Sequence, residues 1–306
     1  MTTSTLQTAA LRVDARCTLG EGAVWCPRRR ALLWTDIEGA RLWLHAPLTG
    51  TTLSWALPDR VGAFALCASG RVLLGLAKGL AFADVDAHTG PSTLPVTPIV
   101  PVEPEEPRTR VNDGRTDREG RFVFGTMNEA EGHAERLGHV YQFSLAHGLR
   151  RLNIDGVSIA NSICFSPDGR TMYFTDSIDG TIRQADYDSA AARVSRVRPF
   201  VRAEDARGMP DGSVVDADGA LWNAVWGGGR VRRYLPDATL DREVLVAAPN
   251  TTCPAFGGAD LTELYVTSSR LEMDAAALAR FPHAGGLFHA ATGIRGVADP
   301  PFDDRG

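Results

Sequence analysis

The stretch Asn161-Ser162-Ile163-Cys164-Phe165-Ser166-Pro167-Asp168-Gly169-Arg170-Thr171-Met172-Tyr173-Phe174-Thr175 decides the fold. Ser162 to Phe165 alternates small or polar with apolar residues, and Thr171 to Thr175 is rich in the β-branched and aromatic residues that suit strands. Between them, Pro167 presets φ, Asp168 can bond its own backbone and Gly169 accepts positive φ, so a tight turn is expected. The stretch is therefore predicted to be a β-hairpin. The same frame recurs without a gap as EGAVWCPRRRALLWT from Glu21, GAFALCASGRVLLGL from Gly62, NDGRTDREGRFVFGT from Asn112, DGSVVDADGALWNAV from Asp211 and CPAFGGADLTELYVT from Cys253. Successive starts lie 41, 50, 49, 50 and 42 residues apart. This spacing belongs to a repeat architecture and exceeds the roughly 33 or 34 residues of helical-hairpin repeats.

Further strand candidates follow each hairpin, among them Thr181 to Tyr187 and Gly229 to Tyr234. Six units of four strands predict an all-β fold, a six-bladed β-propeller with four antiparallel strands per blade. Residues 1–306 are expected to form one such domain. The strand-like segment at about 10–16 has no hairpin partner, and its expected place is in the last blade, beside Tyr265 and Phe288, where it closes the ring.

Composition narrows the function. No apolar run approaches the ~20 residues that span a bilayer, so a soluble protein without a membrane partner is expected. A net charge of −5 argues against a nucleic-acid surface. The basic run Arg28-Arg29-Arg30 falls in the first hairpin turn and reads as a solvated tip. Met1 to Ala10 lacks the charged start and apolar stretch of an export signal, which points to the cytoplasm. The five cysteines, Cys17, Cys26, Cys67, Cys164 and Cys253, are scattered and read as buried reduced thiols. Prolines 95, 98, 101, 104 and 107 have the period of a polyproline II ligand. They read better as an edge strand and crossover of the second blade, where a missing N–H costs little.

In a propeller the innermost strand of each blade lines the channel, so the first residues of the frames should stand at one level facing inward. They are Glu21, Gly62, Asn112, Asn161, Asp211 and Cys253, four of them bearing side-chain oxygens. Two carboxylates at one mouth repel unless a cation neutralises them. Carboxylate and amide oxygens are hard ligands, suited to Ca2+, Mg2+ or Mn2+ more than to a structural zinc. Strand capping is the simpler role open to any one of these residues.

Leu19-Gly20-Glu21-Gly22-Ala23-Val24-Trp25, Arg108 to Gly114, Asn161-Ser162, Pro210-Asp211-Gly212, Gly227 to Val231 and Phe256-Gly257-Gly258-Ala259 together resemble the motifs of the SMP-30/gluconolactonase/LRE (regucalcin-like) family. The likeness covers about residues 10–290. It implies one divalent metal ion (Ca2+, Mg2+, Mn2+ or Zn2+) on Glu21, Asn161 and Asp211, substrate contacts from Arg110 and Asn112, and hydrolysis of sugar lactones such as glucono-, xylono- or arabinonolactone. Family members carry a further substrate-contacting Glu where a strict alignment here places Ala130. Glu129 or Glu131 could substitute.

On that reading the metal acts on the ring-ester carbonyl, Asp211 takes a proton from the attacking water, and Arg110 and Asn112 hold hydroxyls or the developing oxyanion. No GxSxG elbow is present, although Ser162 and Ser213 lie close to the inward positions. His133, His139 and His147 belong to outer connections. An aryl-ester or phosphotriester hydrolase, or a non-catalytic calcium-binding or protein-binding propeller, uses the same scaffold. The sequence leaves the natural lactone, the metal and the oligomeric state open.

Overall fold

A computed structural model describes residues 5–88, 92–202 and 208–305. Residues 1–4, the start of the Thr-rich segment considered for export, lie outside the described residues. The chain is a six-bladed β-propeller. Blade 1 runs through Gly20–Cys26, Ala31–Asp36, Arg41–Ala46 and Thr51–Ala56, and blade 2 through Val61–Leu66, Val72–Leu76, Gly79–Ala83 and Val96–Pro101. Blade 3 comprises Thr109–Thr116, Phe122–Asn128, Val140–Ser144 and Gly148–Arg151, and blade 4 Ala160–Phe165, Thr171–Asp176, Thr181–Asp188 and Arg193–Arg202. Blade 5 comprises Met209–Val215, Leu221–Trp226, Arg230–Tyr234 and Leu240–Leu245. Blade 6 has three consecutive strands, Asn250–Gly257, Glu263–Ser269 and Leu287–Ala291, completed by the early strand Ala10–Val13, in which Ala10 pairs with His289 and Leu11 with Phe288.

Thr5–Thr8 adds a fifth strand to blade 5, parallel to Leu240–Leu245. The sequence reading did not foresee it, because three polar residues around the single apolar Leu6 carry little strand signal of their own. The hairpin turns follow the turn chemistry, with positive φ at Gly70, Gly120, Gly169 and Gly219. Among the described residues, helix is confined to the single turn Glu131–His133 and to Ala275–Arg280, which is capped by Asp274 accepting from Ala277 N at 2.7 Å.

The described residues form two compact units, one drawn from residues 5–39, 43–54 and 208–298, the other from residues 40–42, 55–88, 92–202 and 299–305. In the first unit, one core joins Trp222, Val231 and Val244 of blade 5 to Phe256, Leu264 and Phe288 of blade 6, and another joins blade 6 to Trp34 of blade 1. In the second, Phe122, Phe124 and Phe143 pack with the inner strands of blade 2, and Phe165, Met172 and Phe174 pack between blades 3 and 4. Each core lies between neighbouring sheets, as the apolar faces of twisted blades require.

The proline-rich segment is an edge: Val96–Pro101 is the outermost strand of blade 2, with a register shift between Pro98 and Val100. All five cysteines are free and buried, and burial pushes the Cys67 thiol up to about 12. Such thiols are packing groups. The C-terminal segment packs on the second unit. Phe302 stacks on Phe143 at 5.7 Å and touches Phe82 at 6.1 Å, while Asp299 pairs with Arg115. No helix among the described residues is long and apolar enough to cross a membrane.

Candidate active site

Every inner strand carries a register irregularity near its start. The breaks fall between Glu21 and Val24, Val61 and Ala63, Val111 and Gly114, Asn161 and Cys164, Pro210 and Ser213, and Thr251 and Pro254. A bulge re-aims the side chain beside it and is common next to active sites. The frame-leading residues therefore all sit at a bulge, Glu21 and Asn161 as the last paired residue before it and Gly62, Asn112, Asp211 and Cys253 within it. Gly22 and Ser162, each directly after a frame-leading residue, take positive φ of 61° and 60°. That is routine for glycine and uncommon for serine, and such backbone concentrates at functional sites.

In the second unit, a continuous hydrogen-bonded chain runs along these positions. Arg110 Nη1 donates to Asn112 Oδ1 at 2.8 Å and to Val111 O at 3.0 Å. Asn112 Nδ2 donates to Asn161 Oδ1 at 3.1 Å and to Ala160 O at 3.0 Å. Asn161 Nδ2 donates to Ser177 Oγ at 2.9 Å. All four residues are buried. The bulge behind Asn161 is braced by Asp113, whose Oδ2 accepts from Ile163 N at 2.8 Å. Burial pushes the Asp113 carboxyl up, opposed by that N–H and the Arg115 charge, and its place beneath the bulge gives it a bracing role.

Gly62 leads the frame of blade 2 and carries no ligand for a steric reason. A Cβ there would lie 2.1 Å from Val111 O and 2.7 Å from Asn112 O. Glycine lets the strand bearing Asn112 approach.

In the first unit, Glu21 and Asp211 are buried at 8% and 5% exposure. Glu21 Oε2 accepts from Gly22 N at 3.0 Å, and its carbonyl accepts from Thr35 Oγ1 at 3.2 Å. The Asp211 carbonyl accepts from Asn223 Nδ2 at 3.1 Å, and Asn223 also donates to Ser213 Oγ at 3.0 Å. Cys253 is fixed through its backbone by Thr267 Oγ1. Thr35, Thr126, Thr175 and Thr267 all end their frames, a repetition visible in the sequence that could have marked them as bulge and turn supports.

Of the two glutamates considered beside Ala130, Glu129 is the one that reaches Arg110, with Oε1 at 3.3 Å from Arg110 Nε. Arg60, which the sequence reading passed over, grips the same carboxylate at 2.5 and 2.9 Å. Partial burial acts to raise the Glu129 pKa, but the Arg60 hydrogen bonds and both guanidinium charges outweigh it and hold the carboxyl below its ordinary range. Glu131 lies exposed in the short helical turn. His133 Nδ1 lies 2.6 Å from Asn128 O, His139 Nδ1 lies 3.0 Å from Glu103 Oε1, and His147 is exposed, all in outer connections. Ser162 and Ser213 serve the bulges.

Among the described residues no three His, Cys, Asp or Glu side chains gather as a metal cluster. A metal held by the described residues would therefore draw on amide, hydroxyl or carbonyl oxygen as well. Buried carboxylates of Glu21 and Asp211, with an Asn161 amide whose oxygen is turned by its neighbours, are donors of that chemistry.

The chain is thus a six-bladed propeller with oxygen-bearing side chains at the bulged starts of four inner strands. The chain belongs to the SMP-30/Gluconolactonase/LRE-like family, whose signature matches residues 19–270. It is 47% identical over 296 residues to L-arabinolactonase of Azospirillum brasilense, covering 96% of this chain and 95% of that protein. It is 32% identical to 6-deoxy-6-sulfogluconolactonase of Pseudomonas putida, covering 93% and 94%. Among solved structures, the calcium-binding protein regucalcin of Agrobacterium tumefaciens superimposes with a TM-score of 0.90 at 30% identity, covering 98% of this chain and 99% of that one.

Proposed function

We propose that this protein hydrolyses the ring ester of an aldonolactone, with a pentonolactone of the L-arabinono type as the first substrate to test. By class it is a lactonase, a carboxylic-ester hydrolase. The observation that carries this reading is the chain from Arg110 through Asn112 to Asn161, in which buried polar groups are spent on one another to hold fixed orientations at the inner-strand starts. Likeness to L-arabinolactonase over nearly the whole chain supports the substrate class.

Glu21, Asn161 and Asp211 would hold one divalent metal; their common place at the head of the repeated frame, their oxygen-only chemistry and the family resemblance support that assignment. The metal supplies Lewis-acid polarisation of the ester carbonyl when bound. Asp211 accepts a proton as water adds to the carbonyl carbon, and that proton returns to the ring oxygen as the C–O bond breaks, leaving an open hydroxy acid. Arg110 offers N–H donors from a plane set by Asn112 and Glu129, suited to the sugar hydroxyls or the oxyanion that forms on addition. Asn112 fixes that plane from the other end, and Glu129 orients Arg110 as well as bordering the sugar.

The test is hydrolysis of a panel of aldonolactones, aryl esters and phosphotriesters by chelator-stripped protein, restored metal by metal with Ca2+, Mg2+, Mn2+ and Zn2+. Metal-restored turnover of aldonolactones above the other two classes is expected. Preference for aryl esters or phosphotriesters would replace the substrate assignment, and metal binding without turnover of any ester would make the protein a binding propeller.

A further inference from the structure

We propose that Arg60 is a positioning residue for lactone hydrolysis: through Glu129 it fixes the orientation of the Arg110 guanidinium before substrate arrives. The inference rests on the reading of Arg110 as a substrate-binding residue. Arg60 ends the connection into blade 2 and has a pinned backbone. Its carbonyl accepts from Ala77 N at 2.9 Å and its N–H donates to Asp59 Oδ1 at 2.7 Å. Its guanidinium then meets Glu129, 69 residues further along the chain, by two parallel bonds, the fork geometry in which arginine and carboxylate fix each other's direction. Glu129 is anchored through its own N–H to Arg108 O at 2.7 Å. Its Oε1 serves Arg60 Nη1 and faces Arg110 Nε.

Exposure decreases along this line. The side chains of Arg60 and Glu129 are 31% and 29% exposed, and that of Arg110 is 5% exposed. An outer cation thus sets the carboxylate that an inner cation faces. Asn112 and Val111 hold the Nη1 corner of Arg110, and Glu129 addresses its Nε edge, so the two together define the guanidinium plane. Without Arg60, Glu129 is a side chain at the end of a strand with one longer contact, and it regains rotamers that ordering had removed. Partly exposed ion pairs contribute little to stability. The main consequence of losing Arg60 therefore falls on Arg110.

The test combines kinetics with a readout in the unliganded protein. Arg60→Ala, Arg60→Lys, Arg110→Ala and the Arg60→Ala/Arg110→Ala double variant are assayed for kcat and KM on the best aldonolactone. In parallel, the 15N Nε–H resonance of Arg110, identified by its loss in Arg110→Lys, is followed for exchange with water. Arg60→Ala is expected to lower kcat/KM about tenfold, with partial recovery in Arg60→Lys, which keeps the charge without the fork. In the Arg110→Ala background the same change should alter kcat/KM by less than about twofold, since the two act through one contact. The Arg110 Nε–H should exchange several-fold faster in Arg60→Ala, with the melting temperature nearly unchanged. An equal kinetic loss in both backgrounds, or an Nε–H signal that is unprotected in wild type or unchanged in Arg60→Ala, overturns the proposal. If the wild-type protein opens no sugar lactone, the functional reading fails, and the Nε–H comparison still decides whether Arg60 positions Arg110.

Discussion

Asn112 donates through Nδ2 to Asn161 Oδ1 at 3.1 Å, and this one bond orients two amides 49 residues apart. The direction is forced from one end. Arg110 can only donate, so the Asn112 atom facing it is the oxygen, and the Asn112 amide nitrogen is left to donate onward. Asn161 must then accept through Oδ1 and give its own nitrogen to Ser177. An asparagine oxygen is thereby placed at the inner-strand start without any local sequence feature that dictates its direction.

Replacing Asn112 by aspartate removes both donors. Ala160 O and Asn161 Oδ1 lose their partner and face a carboxylate instead. A buried acceptor stripped of its donor costs about 1–3 kcal/mol. Asn112→Asp should therefore be destabilised by that amount in denaturant titration and lose at least about tenfold in kcat/KM on the best lactone. Wild-type stability and activity in this variant would show that amide orientation is immaterial.

Metal binding should stabilise the fold. A ligand specific to the native state at 100 times its Kd contributes about 2.7 kcal/mol, which corresponds to a melting temperature rise of several degrees. Calorimetry of chelator-treated protein with and without millimolar Ca2+, Mg2+, Mn2+ or Zn2+ measures it. Glu21→Gln should remove the rise. A melting curve indifferent to chelator and to all four ions counts against the assignment of Glu21, Asn161 and Asp211.

If Asp211 accepts the proton of the attacking water, Asp211→Asn should lower turnover at saturating metal by at least about a hundredfold, within the 10²–10⁴ range of general-base participation. Saturation separates proton acceptance from weakened metal binding. Near-normal turnover would reduce Asp211 to a replaceable ligand, and Glu129, held ionised by two arginines, would be a poor successor as base.

The C-terminal segment should impose an acid limit on stability. Asp304 accepts from Ser69 N at 3.0 Å and from Arg71 Nη2 at 2.8 Å. Burial acts to raise its pKa, but the Ser69 hydrogen bonds and the Arg71 charge prevail and hold it below the ordinary carboxylate range. A carboxyl depressed in the folded state stabilises it at pH values above the unfolded pKa of about 3.9, and that contribution is lost as pH falls through the folded value. Urea titrations between pH 6 and pH 3 should show the wild type losing stability more steeply than Asp304→Asn below about pH 4. Parallel slopes would remove Asp304 from the acid response.

Much of the fold was legible because it is local. Alternating apolar residues, a Gly-bearing turn and a β-branched return strand make a hairpin wherever they occur, and six copies in one frame define six blades. Asn112, Asn161 and Asp211 were legible for the same reason, as residues that lead a frame. The bulges were not: a gapless alignment of frames looks the same whether the pairing behind it is regular or shifted, and the positive φ of Ser162 has no glycine to announce it. Nor was the strand Thr5–Thr8, which exists because the open edge of blade 5 offers backbone partners to a polar segment.

By itself, the sequence determined the repeat, the strand and turn periodicity and the residue types at the inner-strand starts, since each of these is a property of neighbours along the chain. Only the tertiary structure decided that Arg60 and Glu129 meet, that Asn112 turns the Asn161 amide, and that Phe302 and Asp304 return to blades 2 and 3. Those pairings are separated by tens to hundreds of residues, and they depend on how neighbouring blades pack. The candidate site combines both: its residue types lead the repeating frame, while the bond that orients Asn112 and Asn161 joins strands of blades 3 and 4.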